Sequence, residues 1–539
     1  MKHVARLMVF IALAFAAPAP LPLHAVEEAP SIRLVLLVAV DQFRYDYLTR
    51  FRGEFTGGFL RLLTSGAVFS NAYLDHYPTV TAIGHSTMLS GATPAISGIV
   101  GNDWYDRELG KNVTSVSDPA TTLVGGSGEG ASPRRLLAST VGDELKSASR
   151  AAEGSPNRPK VFGLSLKDRS AILPAGHMAD GAFWFDTGTG AFVTSTFYRP
   201  DLPAWVASFN ARKMADASAG KRWEFLDPAS GPAHDLPPTP GAPLYGAVYG
   251  SPYGNELLAA FAETAIEAER LGQRGVTDML SVSFSSNDAV GHTYGPDSPE
   301  VRDITVRTDR LLQAFFARVD KLVGLDHTLV ILTADHGVAP VPELQQSRRL
   351  PGGRIQGEEL FSPIEAALRA RFGEGKWILS TAGTSPYLNH PLIAEKKLDP
   401  AEVRRVAAIA AQSAPHVARV YTREQLLSGE AWPDTIGRRI ARSYNLSRSG
   451  DLEIVLEPYW MRASGGTTHG TPYSYDAHIP IVFMGPGIKP GRYDDTIAMN
   501  DIAPTVATLL SVETPSGSQG RVLHEMLAPA TQESISSTR

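Results

Sequence analysis

Apolar residues in this chain come in two rhythms. A run rich in leucine and β-branched residues, without alternation, occupies Arg33 to Val40, and further strands are expected at Lys160 to Leu166, Asp278 to Phe284, Thr328 to Thr333 and Ile479 to Met484. Such a run suits a strand buried on both faces of a sheet. Between them the spacing becomes helical. Ile304, Leu311, Leu312, Phe315, Val319 and Leu322 predict a helix over 301–323, closed by Gly324. Further helices are expected from Arg134 to Lys146, behind Ser132-Pro133, from Asn255 to Leu271, and from Ile502 to Leu510. Strands alternating with helices predict an α/β fold, a mostly parallel central sheet with helices on both faces. Two stretches break the rhythm, about 170–250 and about 340–465, and both read as insertions, together forming a cap. Gly125 to Ser132 reads as a loop.

Composition narrows the class. The chain has 539 residues, 43% hydrophobic and 20% charged, which predicts a well-buried core. Its net charge of −6 and the lack of a dense basic tract argue against a nucleic-acid partner. Lys2 and Arg6 precede a short apolar run, Leu7 to Ala17, with Ala25 as a plausible cleavage point. This is the pattern of a signal peptide over 1–25, which predicts a periplasmic or secreted protein without a stable membrane anchor. Residues 26–539 then read as one catalytic domain with its two insertions. There are no cysteines, which excludes disulfides and thiolate metal ligands.

Candidate chemistry gathers where strands end. Asp41, Asp288 and Asp335 each follow an expected strand, where ligand sites of open parallel sheets lie. A lone Asp there is more often a helix cap. Two of the three come with histidines. Asp288 and His292 are one helical turn apart, and Asp335 adjoins His336. Carboxylate and imidazole donors suit zinc. His469, between flexible glycine-rich segments, is the best further ligand, and His478 competes with it. Thr81 falls in the first turn of a helix expected from about Val80 to Ser90, where free N–H groups and the helix dipole favour an anion. Thr79 is a rival, as nucleophile or as cap, and His85 reads as a brace for the helix. Lys167 and Arg169 share a side if the strand before them continues, and both can grip phosphate oxygens. Asn102 can donate another hydrogen bond or hold a turn.

Assembled in order, these segments resemble the alkaline phosphatase superfamily, in its periplasmic phosphate-monoesterase branch with a threonine nucleophile. The matching pieces are Val-Asp-Gln-Phe-Arg (40–44), Pro-Thr-Val-Thr-Ala-Ile-Gly-His (78–85), Gly-Asn-Asp-Trp-Tyr (101–105), Lys-Asp-Arg (167–169), Ser-Asn-Asp-Ala-Val-Gly-His (286–292), Ala-Asp-His-Gly (334–337) and Thr-His-Gly-Thr-Pro (468–472). The resemblance implies two zinc ions, one held by Asp41, Thr81, Asp335 and His336, the other by Asp288, His292 and His469. It implies attack by Thr81 on phosphorus, a phospho-threonine intermediate, and non-bridging oxygens held by Asn102, Lys167 and Arg169. The implied substrates are small-molecule phosphate monoesters. The dimeric, serine-dependent relatives carry disulfides and magnesium; this chain offers Lys167 and Arg169 instead, so no third, magnesium site is expected. Two zinc ions, three aspartates, Lys167 and Arg169 together carry a charge of about plus three, which suits a monoester dianion better than a diester monoanion. A phosphodiesterase of the same superfamily is the main alternative. A sulfatase would need a Cys- or Ser-x-Pro-x-Arg motif that the chain lacks, and a binding protein on an inactive scaffold would be expected to lack a ligand or the nucleophile.

Overall fold

A computed structural model describes residues 32–429 and 433–528. The expected signal peptide lies outside them. Eleven strands form one sheet: β1 (Leu34–Val40), β2 (Ala67–Phe69), β3 (Ser117–Val124), β4 (Glu129–Ala131), β5 (Val161–Ser165), β6 (Gly181–Asp186), β7 (Ala191–Ser195), β8 (Asp278–Phe284), β9 (Thr328–Thr333), β10 (Ile481–Met484) and β11 (Gly491–Tyr493). Their order is β11-β2-β10-β9-β1-β8-β5-β6-β7-β3-β4. The centre, β9-β1-β8-β5-β6, is parallel throughout. Both flanks turn antiparallel, at β10 on one side and β7 on the other. Every residue of β1, β8 and β9 is buried. That explains why β1 reads as a continuous apolar run instead of an alternating one.

The centre of the sheet sets the site. The chain leaves β9, β1, β8 and β5 at the same edge, and these strands are neighbours. Helix α1 (Thr81–Ser90) lies over this edge with all ten residues buried. Its small residues permit close approach: a Cβ on Gly84 would stand 2.4 Å from the Asp335 carbonyl oxygen. Helix α2 (Asp168–Ala175) packs on β5, and helix α3 (Ser286–Tyr294) follows β8. The amphipathic helix expected over 301–323 is α4 (Pro299–Leu322), capped by Ser298, whose side chain accepts from Val301 N–H.

Several expectations change. The segment about 170–250 is not wholly an insertion, because β6 and β7 extend the central sheet. The Gly125–Ser132 loop contains edge strand β4. The helix expected from Arg134 begins only at Val141, because Thr140 and Asp143 form a capping box there. Lys167 and Arg169 do not continue an extended strand; Lys167 is the N-cap of α2 and Arg169 lies in its first turn.

Residues 342–461 build a smaller unit of helices and two-stranded sheets. Strand Val417–Thr422 pairs with Leu452–Leu456, and Ile378–Ala382 pairs with Ser385–Leu388. The unit has its own apolar cluster around Trp377, Leu368 and Val403. Among the described residues, no helix is long and apolar enough to cross a membrane.

The seating of α2 can be tested at Gly163 in β5. A Cβ there would stand 1.9 Å from the Ala171 carbonyl oxygen. Gly163→Ala is therefore expected to cost about 1–3 kcal/mol of stability, measured as a lowered thermal midpoint. An unchanged midpoint would mean that α2 does not press on β5 as described.

Candidate active site

The sequence places Asp41 directly after β1, Asp288 in the first turn of α3, Asp335 and His336 after β9, and Lys167 after β5. Because those strands are adjacent, the side chains meet. Donor atoms of Asp41, Asp288 and His336 lie within 4.8 Å of one another, as do those of Asp288, His292 and His469. Asp288 thus belongs to both groups. The helical spacing of Asp288 and His292 brings His292 Nε2 to 3.2 Å from Asp288 Oδ1. Asp335 Oδ2 lies 3.3 Å from His336 Nε2. Thr81 Oγ1 stands 3.3 Å from the same nitrogen. The rings of His336 and His469 stack with centroids 3.5 Å apart.

Each of the three histidines is oriented by its far nitrogen. Nδ1 of His292 lies 2.8 Å from the Thr467 carbonyl, Nδ1 of His336 2.9 Å from the Gly337 carbonyl, and Nδ1 of His469 2.7 Å from the Thr79 carbonyl. A carbonyl only accepts, so Nδ1 carries the proton and Nε2 turns its lone pair to the cluster. Burial holds His336 below the usual imidazole range. Burial, then the neighbouring histidines, hold His469 well below it. Both are neutral donors in consequence.

The carboxylates are held in different states. Burial and then the Asp335 charge push Asp41 well above the carboxylate range, against the pull of Lys167. Burial also opposes ionisation of Asp288, but Lys167 and then His292 outweigh it and hold Asp288 well below that range. For Asp335, His336 and His85 overcome burial in the same way. The Lys167 ammonium sits 2.5 Å from Asp41 Oδ2 and 2.7 Å from Asp288 Oδ2. Burial disfavours its charge, but these two aspartates hold its pKa well above the usual lysine value. Asp41 Oδ1 and Asp335 Oδ2 are buried with no hydrogen-bond partner among the described residues.

The remaining expected residues take distinct places. Asn102 Oδ1 accepts from the Ala82 N–H at 2.8 Å. It thereby caps α1, whose N-cap residue, Val80, makes no side-chain cap bond. Thr79 is not the cap, because its hydroxyl donates to the Thr471 carbonyl at 2.8 Å. His85 braces α1, with Nδ1 2.9 Å from the Thr81 carbonyl and Nε2 2.8 Å from Ser283 Oγ. His478 lies apart from the cluster. Its Nε2 bonds the Ser70 carbonyl, and its ring stacks on Tyr45 and Tyr73. Arg169 makes only a loose contact, 3.8 Å, with Asp168.

Two neighbours were not assigned roles from the sequence. Gln42, at φ 62°, donates from Nε2 to Asp288 at 2.7 Å and from its backbone N–H to Asp335 at 3.0 Å. It stands inside the Val-Asp-Gln-Phe-Arg motif, which was the available signal. Tyr249, from the segment about 170–250, lies within electrostatic reach of Asp288 and Asp41. Burial, reinforced by those charges, lifts its phenol to about 12.

Known proteins are similar to this chain over most of its length. The family model described as type I phosphodiesterase/nucleotide pyrophosphatase matches residues 35–478. Alkaline phosphatase PafA of Elizabethkingia meningoseptica is 38% identical, over 92% of this chain and 95% of its own. Alkaline phosphatase PhoV of Synechococcus elongatus is also 38% identical, over 92% and 93%. The crystal structure of wild-type PafA superposes with a TM-score of 0.86 at 37% identity, covering 93% of this chain and all of that one. By this match the chain belongs to the type I phosphodiesterase/nucleotide pyrophosphatase family, within the alkaline phosphatase superfamily that its motifs resemble.

Proposed function

We propose that the chain is a metal-dependent alkaline phosphatase that hydrolyses small phosphate monoesters to inorganic phosphate and an alcohol. The observation that carries this reading is the Thr81 hydroxyl at the open end of a buried helix, beside two overlapping groups of carboxylate and imidazole donors. The donor set fits divalent cations. It combines imidazoles aimed by backbone carbonyls with buried carboxylate oxygens that lack hydrogen-bond partners. Asp41, Thr81, Asp335 and His336 would hold one zinc ion, and Asp288, His292 and His469 the other, with Asp288 near both. When bound, the cations neutralise the carboxylates, acidify the threonine hydroxyl and polarise the ester oxygens.

The chain's own groups do the rest. Thr81 gives up its hydroxyl proton to solvent and its Oγ forms a bond to phosphorus as the ester P–O bond breaks, and the leaving alkoxide takes a proton from solvent to depart as the alcohol. Water then cleaves the phospho-threonine and restores the hydroxyl. The first-turn N–H groups of α1 and the Asn102 amide, whose oxygen is already engaged, donate to the phosphoryl oxygens. Lys167 and Arg169 add two charges that a dianion uses more fully than a monoanion. An N-terminal signal peptide supports export to the periplasm or beyond. The family's name favours a second reading, diester hydrolysis at the same site.

Rates on p-nitrophenyl phosphate and bis(p-nitrophenyl) phosphate separate the two readings. The zinc-loaded chain is expected to prefer the monoester in kcat/KM, and faster diester turnover would reverse the assignment. Thr81→Ala is expected to lose at least about 10³-fold in kcat while keeping its thermal midpoint; an active Thr81→Ala with a dead Thr79→Ala would move the nucleophile to Thr79. Replacing both Lys167 and Arg169 by Ala is expected to lower monoester kcat/KM by about 10²–10³-fold and diester kcat/KM by less. Equal losses would remove the specificity role from this pair.

Lys167 also neutralises Asp41 and Asp288 when no metal does. Lys167→Met is therefore expected to destabilise the chelator-treated protein by about 3–5 kcal/mol, and zinc is expected to reverse most of that loss. Equal melting midpoints of the two metal-free proteins would contradict this.

A further inference from the structure

Next to the catalytic residues lies a cavity of about 270 Å³. Val80, Asn102 and His469 form its catalytic side, and residues of the 342–461 unit form the wall opposite. On that wall stands Glu453, in strand Leu452–Leu456 and only 8% exposed. One of its carboxylate oxygens accepts from Ser385 Oγ at 2.5 Å. No cation partners it among the described residues, and burial pushes it up to about 7. The phenols around it are engaged elsewhere. Tyr77 donates to the Ile454 carbonyl, Tyr387 to that of Arg448, and Tyr444 to that of Gly450. Glu453 therefore keeps acceptor capacity that no neighbouring phenol uses.

A buried carboxylate is costly unless it is paired or well hydrogen-bonded. An apolar residue would fill this position in the strand more cheaply, and the cavity gives the carboxylate something to face. Arg462 lines the same cavity and bonds the Gly383 carbonyl. The residue is exposed overall, but partial burial of its guanidinium lowers its pKa, with no carboxylate offsetting the effect. Acceptor and donor thus line one cavity, and the small volume suits a group of monosaccharide size.

The geometry points to this cavity as the leaving-group pocket, in which Glu453 accepts and Arg462 donates hydrogen bonds to the hydroxyls of a sugar or polyol phosphate. An amino alcohol fits less well, because Arg462 would repel its ammonium. This inference rests on the monoesterase reading and names its substrate class. Glu453 and Arg462 are specificity-determining residues in it, remote from the reacting phosphorus.

The test measures kcat/KM of the zinc-loaded full chain on glucose 6-phosphate, O-phosphoethanolamine and p-nitrophenyl phosphate. It compares wild type with Glu453→Ala and Arg462→Ala. The second variant is included because its side chain is exposed and its loss leaves the core intact. The ratio of glucose 6-phosphate to p-nitrophenyl phosphate is expected to fall about tenfold or more in each variant, the size of a lost hydrogen bond to a charged group. A ratio unchanged in either folded variant overturns the inference. A wild-type preference for O-phosphoethanolamine over glucose 6-phosphate that Glu453→Ala abolishes overturns it as well. If wild type hydrolyses none of the three esters, the monoesterase reading itself fails, and this inference falls with it.

Discussion

Mutual repulsion among three buried carboxylates is the constraint around which this molecule is arranged. Asp41, Asp288 and Asp335 come together because their strands are adjacent and parallel, so the chain leaves each at the same edge. Three carboxylates in a dry cleft cannot all stay ionised without compensation, and Asp41 is the one pushed well above the carboxylate range. The Lys167 ammonium compensates two of them directly. Backbone N–H groups of Gln42 and His336 hold the third, at Asp335 Oδ1. What remains unbalanced faces imidazoles whose Nε2 atoms are already oriented toward the cluster. The same charge that must be neutralised is what makes the site useful for phosphate chemistry.

That arrangement explains how one scaffold can serve esters of different charge. The carboxylates and histidines create a place for cations and a nucleophile, and phosphate mono- and diesters can both use them. Selection between them falls to groups outside the ligand set. Lys167, the N-cap of α2, and Arg169, in its first turn, are the groups proposed for that selection. The 342–461 unit borders the site from the side opposite Asn102 and carries an apolar cluster of its own. Its contacts with substrate can therefore vary while the central sheet and its ligands stay fixed, in keeping with function carried on loops over a rigid scaffold.

Much of the architecture was legible in the chain. Strand β1 is apolar at every position because both of its faces are covered, β8 and β9 keep apolar centres for the same reason, and α4 shows its buried stripe plainly. The flanks were harder to read. Strand β3 includes Pro119 and buries only scattered positions, so its pattern is faint. The Gly-rich run containing β4 resembled a loop, because an edge strand needs fewer apolar positions, whereas β6 and β7, largely buried inside the sheet, were masked by the Pro- and Gly-rich sequence around them. At the site, helical spacing placed Asp288 and His292 together correctly. The geometry of Lys167 and Arg169 was misread, since the strand gives way to a helix at Lys167. Gln42 could not be foreseen. Its role needs a left-handed backbone and a contact with Asp288, 246 residues away. Glu453 was hidden for a similar reason, because one acidic residue in a short apolar strand gives no sign that it faces a cavity.

The account's central claim is that two cations sit among these side chains with Thr81 between them and the substrate. The most direct check is a crystal structure of the zinc-loaded chain with anomalous data collected at the zinc absorption edge. Two strong peaks are expected, one against Asp41, Thr81, Asp335 and His336, the other against Asp288, His292 and His469, with the Lys167 ammonium moved off the aspartates. A single peak, or peaks remote from Thr81, would contradict the account.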